Sequence, residues 1–315
     1  YRYIYAMRFT ALWKENKANM ARHNEVRLLG YISSDPAIQY RDMVNRKDPV
    51  RAMFVIHTLH GNREFGNDKR KRPDENIVLT MDPSRMDFIA HLKKFDVIQV
   101  KGSLTTAKTH PAITCEKCGH VWKAEDEFTF VNPIFMDKID SSKELARFKK
   151  EFDADANEND EENSDAIAIL LDKYLRKRIE ISNNITVIGT CSRDPQLFTE
   201  RKNPITNYGL DIIRKYKIRE FDPDNRHDYP NVKCYGNIAI NDHKFVHKGS
   251  RVFIDGFIQQ RAYWEGYECP ECKAEGKRKR TITEIVPYSV EYLANCNDGY
   301  EDVNNKINKG DTDDE

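Results

Sequence analysis

The chain repeats itself, and that repetition limits the folds open to it more than any other feature. The stretch "NEVRLLGYISSDP" at 24–36 returns as "NNITVIGTCSRDP" at 183–195, so that Gly30, Ser33, Asp35 and Pro36 fall on Gly189, Ser192, Asp194 and Pro195. The offset of 159 residues shortens to 154 further on: Gly102 falls on Gly256, Cys115 on Cys269, Cys118 on Cys272 and Pro133 on Pro287. The features keep their order in both halves. Two copies of one domain follow, at 20–140 and 181–296, with 141–180 as a connection and 297–315 as a tail.

Each copy reads as mainly β. In the second, short runs of β-branched and aromatic residues bounded by turn formers predict strands at Ile185–Cys191, Leu210–Ile218, Val232–Tyr235, Arg251–Ile258 and Thr281–Val286. The segment Asn237–Lys248 is less strand-like. At the same place the first copy holds "DPSRMDFIAHLKK". There Asp82 can cap, Pro83 suits a first helical turn, and Met86, Ile89 and Leu92 give helical spacing. Five short strands with a helix after the third match the OB-fold, a small Greek-key barrel. The expected class is therefore all-β with short helices: two tandem barrels joined by an acidic, then helical, linker. In that linker Ile167, Leu170, Leu171, Tyr174 and Leu175 share one helical stripe, which predicts a helix packed on a barrel.

A formal net charge of zero conceals a bipolar chain. Residues 151–165 hold eight acids and no base, and 297–315 hold seven acids and two lysines. The rest carries 49 basic residues against 36 acidic ones, the balance of a body that meets polyanions. The acidic blocks read either as interaction segments or as solvated spacers. Seven cysteines, four of them in two CxxC pairs, are not a secreted disulfide framework, so reduced thiols in a cytoplasm are expected. No apolar run reaches membrane-spanning length. "MARHNEVRLLGYI" reads like a start, so that 1–19 is either an upstream extension or a native one.

The second copy also resembles the bacterial and phage type of single-stranded DNA-binding protein. Its opening is similar to that family's first strand. The stretch "YPNVKCYGNIAINDHKFVHKGSRVFIDGFIQQRAYW" carries the family's ordered series in Tyr229, Tyr235-Gly236, Lys248-Gly249 and Gly256, and "TITEIV" resembles the fifth strand. The resemblance implies sequence-independent binding of single-stranded DNA in replication, recombination or repair, without catalysis. It makes Tyr229, Tyr235 and Tyr263 or Trp264 candidates for base stacking, with Tyr216 a looser one. Stacking tolerates any sequence, because every base has a π-face. Basic residues among these aromatics suit phosphates: Arg214, Lys233 and Arg261, with Lys215, Lys217 and Arg219. The first copy departs from the series. Glu75 and Met81 stand where Tyr229 and Tyr235 stand, and Lys94-Phe95 replaces Lys-Gly. Its remaining candidates are Phe54, Phe65 and Trp122, with the basic run at 68–72.

Both CxxC pairs fall between the fourth and fifth strands, on the hairpin beside an OB-fold's binding groove. Tetrahedral zinc needs four ligands, and each knuckle supplies two. Cys115, Cys118, Cys269 and Cys272 either complete one shared Cys₄ zinc site, within a chain or across a homo-oligomer, or hold separate sites completed by other groups such as His110 and His120, or hold no metal. Two rival functions stay open. Asp222, Asp224 and His227 are a cluster a metal-dependent nuclease would use, and OB barrels also hold protein partners. The acidic tail resembles the partner-recruiting tails of the family, but it ends "DTDDE" without an apolar terminus. An Asn- and Lys-rich chain suits an AT-rich bacterium, its phage or a mobile element.

Overall fold

The computed structural model describes residues 22–61, 74–139, 160–200, 203–215 and 226–294, together with 146, 147 and 150. The first copy contains β1 (His23–Ile32), β2 (Ala37–Asp42), β3 (Lys47–Thr58), β4 (Asp74–Thr80), α1 (Pro83–Ala90), β5 (Val97–Thr109), β6 (Ala112–Thr114), β7 (Val121–Lys123) and β8 (Asp126–Lys138). A linker helix α2 (Asp160–Arg176) and a short α3 (Ile179–Ser182) lead to the second copy. That copy contains β9 (Asn183–Cys191), β10 (Gln196–Phe198), β11 (Ile205–Ile213), β12 (His227–Asp228), β13 (Asn231–Tyr235), α4 (Gly236–Phe245), β14 (Arg251–Glu268) and β15 (Glu275–Ala294).

Each copy closes on itself. Strand β1 pairs with β3 and β5, β3 pairs with β4, β5 pairs with β8, and a parallel contact of β4 with β8 at Val78↔Val131 completes the ring. The second ring is β9, β11, β13, β15 and β14, again with one parallel pair, β13 and β15. Five strands closed in this order, with a helix after the third, form the OB barrel that the strand pattern predicted. Their interiors are apolar: Val26, Leu28, Ile56, Val78 and Val100 in one, Ile185, Val187, Leu210, Val232 and Ile254 in the other.

The repeated residues recur because the barrels need them. At Gly102 and Gly256 a Cβ would stand 2.4 Å from the Asn132 carbonyl oxygen and 2.3 Å from that of Val286, beside matching bulges in β5 and β14. Asn24 bonds the backbone of Leu104 twice, at 2.8 and 2.9 Å, and Asn183 does the same to Ile258, at 2.7 and 3.0 Å. Asp82 caps α1 by accepting the Ser84 N–H, with Pro83 in the first turn, and the less strand-like segment of the second copy is α4.

The copies are joined by β1 and β9, which pair antiparallel with Val26 opposite Ile185. These two residues are equivalents under the 159 offset, so a pseudo-twofold axis passes between them, as in an isologous dimer fused into one chain. Helix α2 covers barrel one: Leu171, Tyr174 and Leu175 pack on Leu29, Tyr31, Leu59 and Val97. Phe95 joins that cluster with φ at 71°, where Gly249 of copy two has φ at 90°. The Phe side chain seals the helix against the barrel at the cost of a left-handed backbone.

Strand boundaries differ from the sequence pattern in two places. Strand β11, predicted at Leu210–Ile218, runs Ile205–Ile213: it starts early because Ile205–Gly209 pair with β13, and it ends before residues 214 and 215, which are not in a strand. Strands β14 and β15 run 18 and 20 residues, far past their apolar parts, as an arm without a core of its own. Among the described residues no helix is long and apolar enough to cross a membrane.

Candidate nucleic-acid interface and thiol cluster

Strand register assembles one outward face on barrel two. Asn207 of β11 lies opposite Lys233 of β13, and Gln259 of β14 lies opposite Glu284 of β15. At the centre is the Glu284 carboxylate, whose side chain is 4% exposed. Arg261 reaches it at 2.9 Å, Gln259 at 3.2 Å and Lys233 at 3.8 Å. The carboxylate strengthens the Arg261 guanidinium's hold on its proton, raising its pKa against desolvation. Arg261 lies over the Tyr263 ring at 5.4 Å, and Gln259 bonds the Tyr235 hydroxyl at 3.3 Å. Two part-buried aromatics and two cations are thus held in place by one buried anion. Glu284, Gln259 and Arg280, whose guanidinium lies 5.8 Å from the Tyr263 ring centroid, escaped the sequence reading, because only cross-strand register brings them together.

The face sorts the candidate residues. Tyr235, Tyr263 and Arg261 lie on it. Lys233 lies on it too, but is 8% exposed and turned to Glu284, so its ammonium supports the face more than it meets solvent. Trp264, 68% exposed, points away, since neighbouring strand residues face opposite sides. Tyr229 is 43% exposed and stacks beside His227, with ring centroids 6.3 Å apart. Two candidates are corrected. Phe54 is a core residue, 2% exposed, with no ring face open to a base. Arg214 is buried in a fork with Asp228, at 2.8 and 2.7 Å, which turns its guanidinium away from solvent. Tyr216, Phe65, Lys217, Arg219, Asp222, Asp224, the run at 68–72, most of 151–165 and the tail 297–315 lie outside the described residues. His227 bonds Asp211 through Nδ1 at 2.6 Å. In barrel one Leu79 and Met81 stand where Lys233 and Tyr235 stand, and Glu75 is turned to His57 at 2.9 Å.

The β5–β8 hairpin, with β6 and β7 beyond it, forms a second arm beside that of β14 and β15. Arg278 and Arg280 of β15 each reach Asp126 of β8 at 2.9 Å and Glu265 of β14 at 2.6 Å. Trp122 meets the Tyr267 ring edge-on at 5.4 Å. At the tips both knuckles make the same turn. The Cys115 and Cys269 carbonyls accept the N–H of Gly119 and Lys273, and those two residues are left-handed, with φ at 73° and 59°.

The turns bring together the Sγ atoms of Cys115, Cys118, Cys269 and Cys272, all within 4.8 Å of one another. The pairs across the axis, Cys115 with Cys272 and Cys118 with Cys269, are each 3.7 Å apart. A tetrahedron with zinc–sulfur bonds of about 2.3 Å has edges of about 3.8 Å. The backbone N–H groups of Cys118 and Lys117 help pull the Cys115 thiol down to about 6. The His120 N–H acts the same way on Cys118, but desolvation and the thiols of Cys272, Cys115 and Cys269 outweigh it and push Cys118 up to about 12. Without a cation the cluster has to share protons, because so many thiolates repel. His120 is no part of it; its Nδ1 bonds Glu271 at 2.9 Å.

Comparison with known proteins places the family likeness in the second copy. Residues 182–293 match the single-strand binding protein family. The chain is 32% identical over 112 residues to single-stranded DNA-binding protein 1 of Lactococcus lactis, covering 35% of this chain and 67% of that protein. It is 28% identical over 112 residues to the single-stranded DNA-binding protein of Halalkalibacterium halodurans, covering 35% of this chain and 60% of that one. The match therefore spans 60% and 67% of these relatives' lengths. The crystal structure of the single-stranded DNA-binding protein from Thermus aquaticus superposes over 87% of this chain and 95% of its own, with TM-score 0.52 and 15% identity, a likeness of fold.

Proposed function

Because the chain belongs to the single-strand binding protein family, we propose that it binds single-stranded DNA without sequence preference and without turnover, chiefly on the outer face of barrel two. The observation that carries this reading is the row of Tyr235, Lys233, Arg261 and Tyr263 held by buried Glu284. Aromatic rings offer stacking platforms to bases of any kind, and Arg261, the exposed cation of the row, tracks the backbone. Binding titrations with single-stranded DNA, single-stranded RNA and duplex DNA across a range of salt test it. Single-stranded DNA should bind tightest, with log Kobs falling linearly with log salt. Equal affinity for duplex DNA would refute the reading.

The four thiols support a second element, one zinc ion shared by both knuckles. All-thiolate donors suit a closed structural zinc site. The ion would supply charge to hold the four thiolates together and so fix the two arms relative to each other. Metal analysis should give one zinc per chain, and Cys115→Ser or Cys269→Ser should each remove nearly all of it. Two ions per chain, with each variant losing only its own, would contradict a shared site. The domains of this reading are 20–140 and 181–296, with 141–180 as linker. The acidic tail competes with DNA for the basic body and offers a site to replication or recombination proteins, in a bacterial cytoplasm and in a homo-oligomer.

A further inference from the structure

The stacking candidate Tyr229 belongs to barrel two in sequence but is held by barrel one. Its backbone N–H donates to the Thr106 hydroxyl of β5 at 2.9 Å, across 123 residues of chain. The Thr106 N–H donates to Asp228 Oδ1 at 2.8 Å, and its hydroxyl leans on the same oxygen at 3.4 Å. Arg214 grips Asp228 with two N–H groups and reaches the Thr106 carbonyl at 3.4 Å. Thr106 is 8% exposed, Arg214 7% and Asp228 0%, so these bonds form where water does not compete. The Tyr229 ring at the end of this buried chain is 43% exposed.

From this we infer that Thr106 is a positioning residue: barrel one, which lacks the aromatic series, holds Tyr229 of barrel two in a base-stacking pose. The inference rests on the proposed DNA-binding reading. A ring on a loop that must be ordered on binding contributes less than one already fixed, because ordering it costs part of the stacking energy. Thr106 accepts the Tyr229 N–H at the residue itself, so its hydroxyl sets where the backbone carries the ring. Its equivalent in copy two is Gln260, so the role belongs to one half only.

The test is a mutant cycle read by fluorescence anisotropy with a labelled oligothymidylate, on the full chain. Tyr229→Ala should weaken binding at least fivefold, the low end of what one stacked base contributes. Thr106→Val should weaken it about three- to tenfold in the native background and less than twofold in the Tyr229→Ala background. Thr106→Ser, which keeps the hydroxyl, should bind within twofold of the native chain. The slope of log Kobs against log salt should stay unchanged in every variant, since no phosphate contact is removed. Should Thr106→Val fail to fold, Thr106→Ala removes the same acceptor with less crowding. Equal losses from Thr106→Val with and without the Tyr229 ring, or a Thr106→Ser variant as weak as Thr106→Val, would overturn the positioning role while leaving Tyr229 as a contact. A Tyr229→Ala variant with native affinity would overturn the contact itself, and the positioning role with it.

Discussion

Replacing Arg261 by Ala tests whether the barrel-two face is organised by Glu284 or merely surrounds it. Arg261 is the nearest cation to a carboxylate that is 4% exposed, and its loss leaves Gln259 at 3.2 Å and Lys233 at 3.8 Å. Breaking a fully buried ion pair costs about 3–5 kcal/mol, through the charge left behind. Here the Arg261 side chain is 41% exposed and two partners remain, so about 2 kcal/mol is expected. If the two joined barrels unfold as one unit, that is a drop of about 4–8 °C in Tm. In a background where Glu284→Gln has already removed the charge, the same Arg261 change should cost about 1–2 kcal/mol less, a coupling readable by urea unfolding. DNA binding should respond differently. Arg261→Ala should flatten the slope of log Kobs against log salt by about 0.7, the share of one phosphate contact, in both backgrounds. Additive stabilities within about 0.3 kcal/mol would show that Arg261 and Glu284 are not coupled. An unchanged salt slope would remove Arg261 from the DNA contact.

Three further outcomes follow from the same geometry. Tyr263→Ala should weaken single-stranded DNA binding by about 1–3 kcal/mol in titrations, and Trp264→Ala by less, because only Tyr263 shares the face of Tyr235; the reverse order would move the site to the other side of the arm. Phe95→Gly should unfold in urea about 1 kcal/mol later than Phe95→Ala, since both lose the packing on α2 and only Gly is free of the left-handed penalty at φ 71°; equal stabilities would remove the strain. Deleting 297–315 should raise DNA affinity more at low salt than at high salt, as screening of an acidic competitor requires; no change at any salt would make the tail a spacer or partner site.

The barrels were legible in the sequence because their constraints are local or repeated. Gly102 and Gly256 mark a backbone approach no Cβ survives, Asp82-Pro83 announces a helix start, and each CxxC is a turn in itself. Burial of the charged and aromatic candidates was not legible. Arg214 and Lys233 look like phosphate ligands until Asp228 and Glu284 are seen beside them, and those carboxylates arrive from other strands. The opposite facing of Tyr263 and Trp264 follows from strand alternation alone and was within reach. The hydroxyl of Thr106 was out of reach, because its partner lies in the other copy.

The central claim is that single-stranded DNA lies on barrel two while barrel one serves as its platform. Photocrosslinking with an iododeoxyuridine-substituted oligonucleotide, followed by peptide mapping, reads this directly. Adducts are expected at Tyr229, Tyr235 and Tyr263, all within residues 226–294. Adducts confined to residues 22–139 would contradict the account.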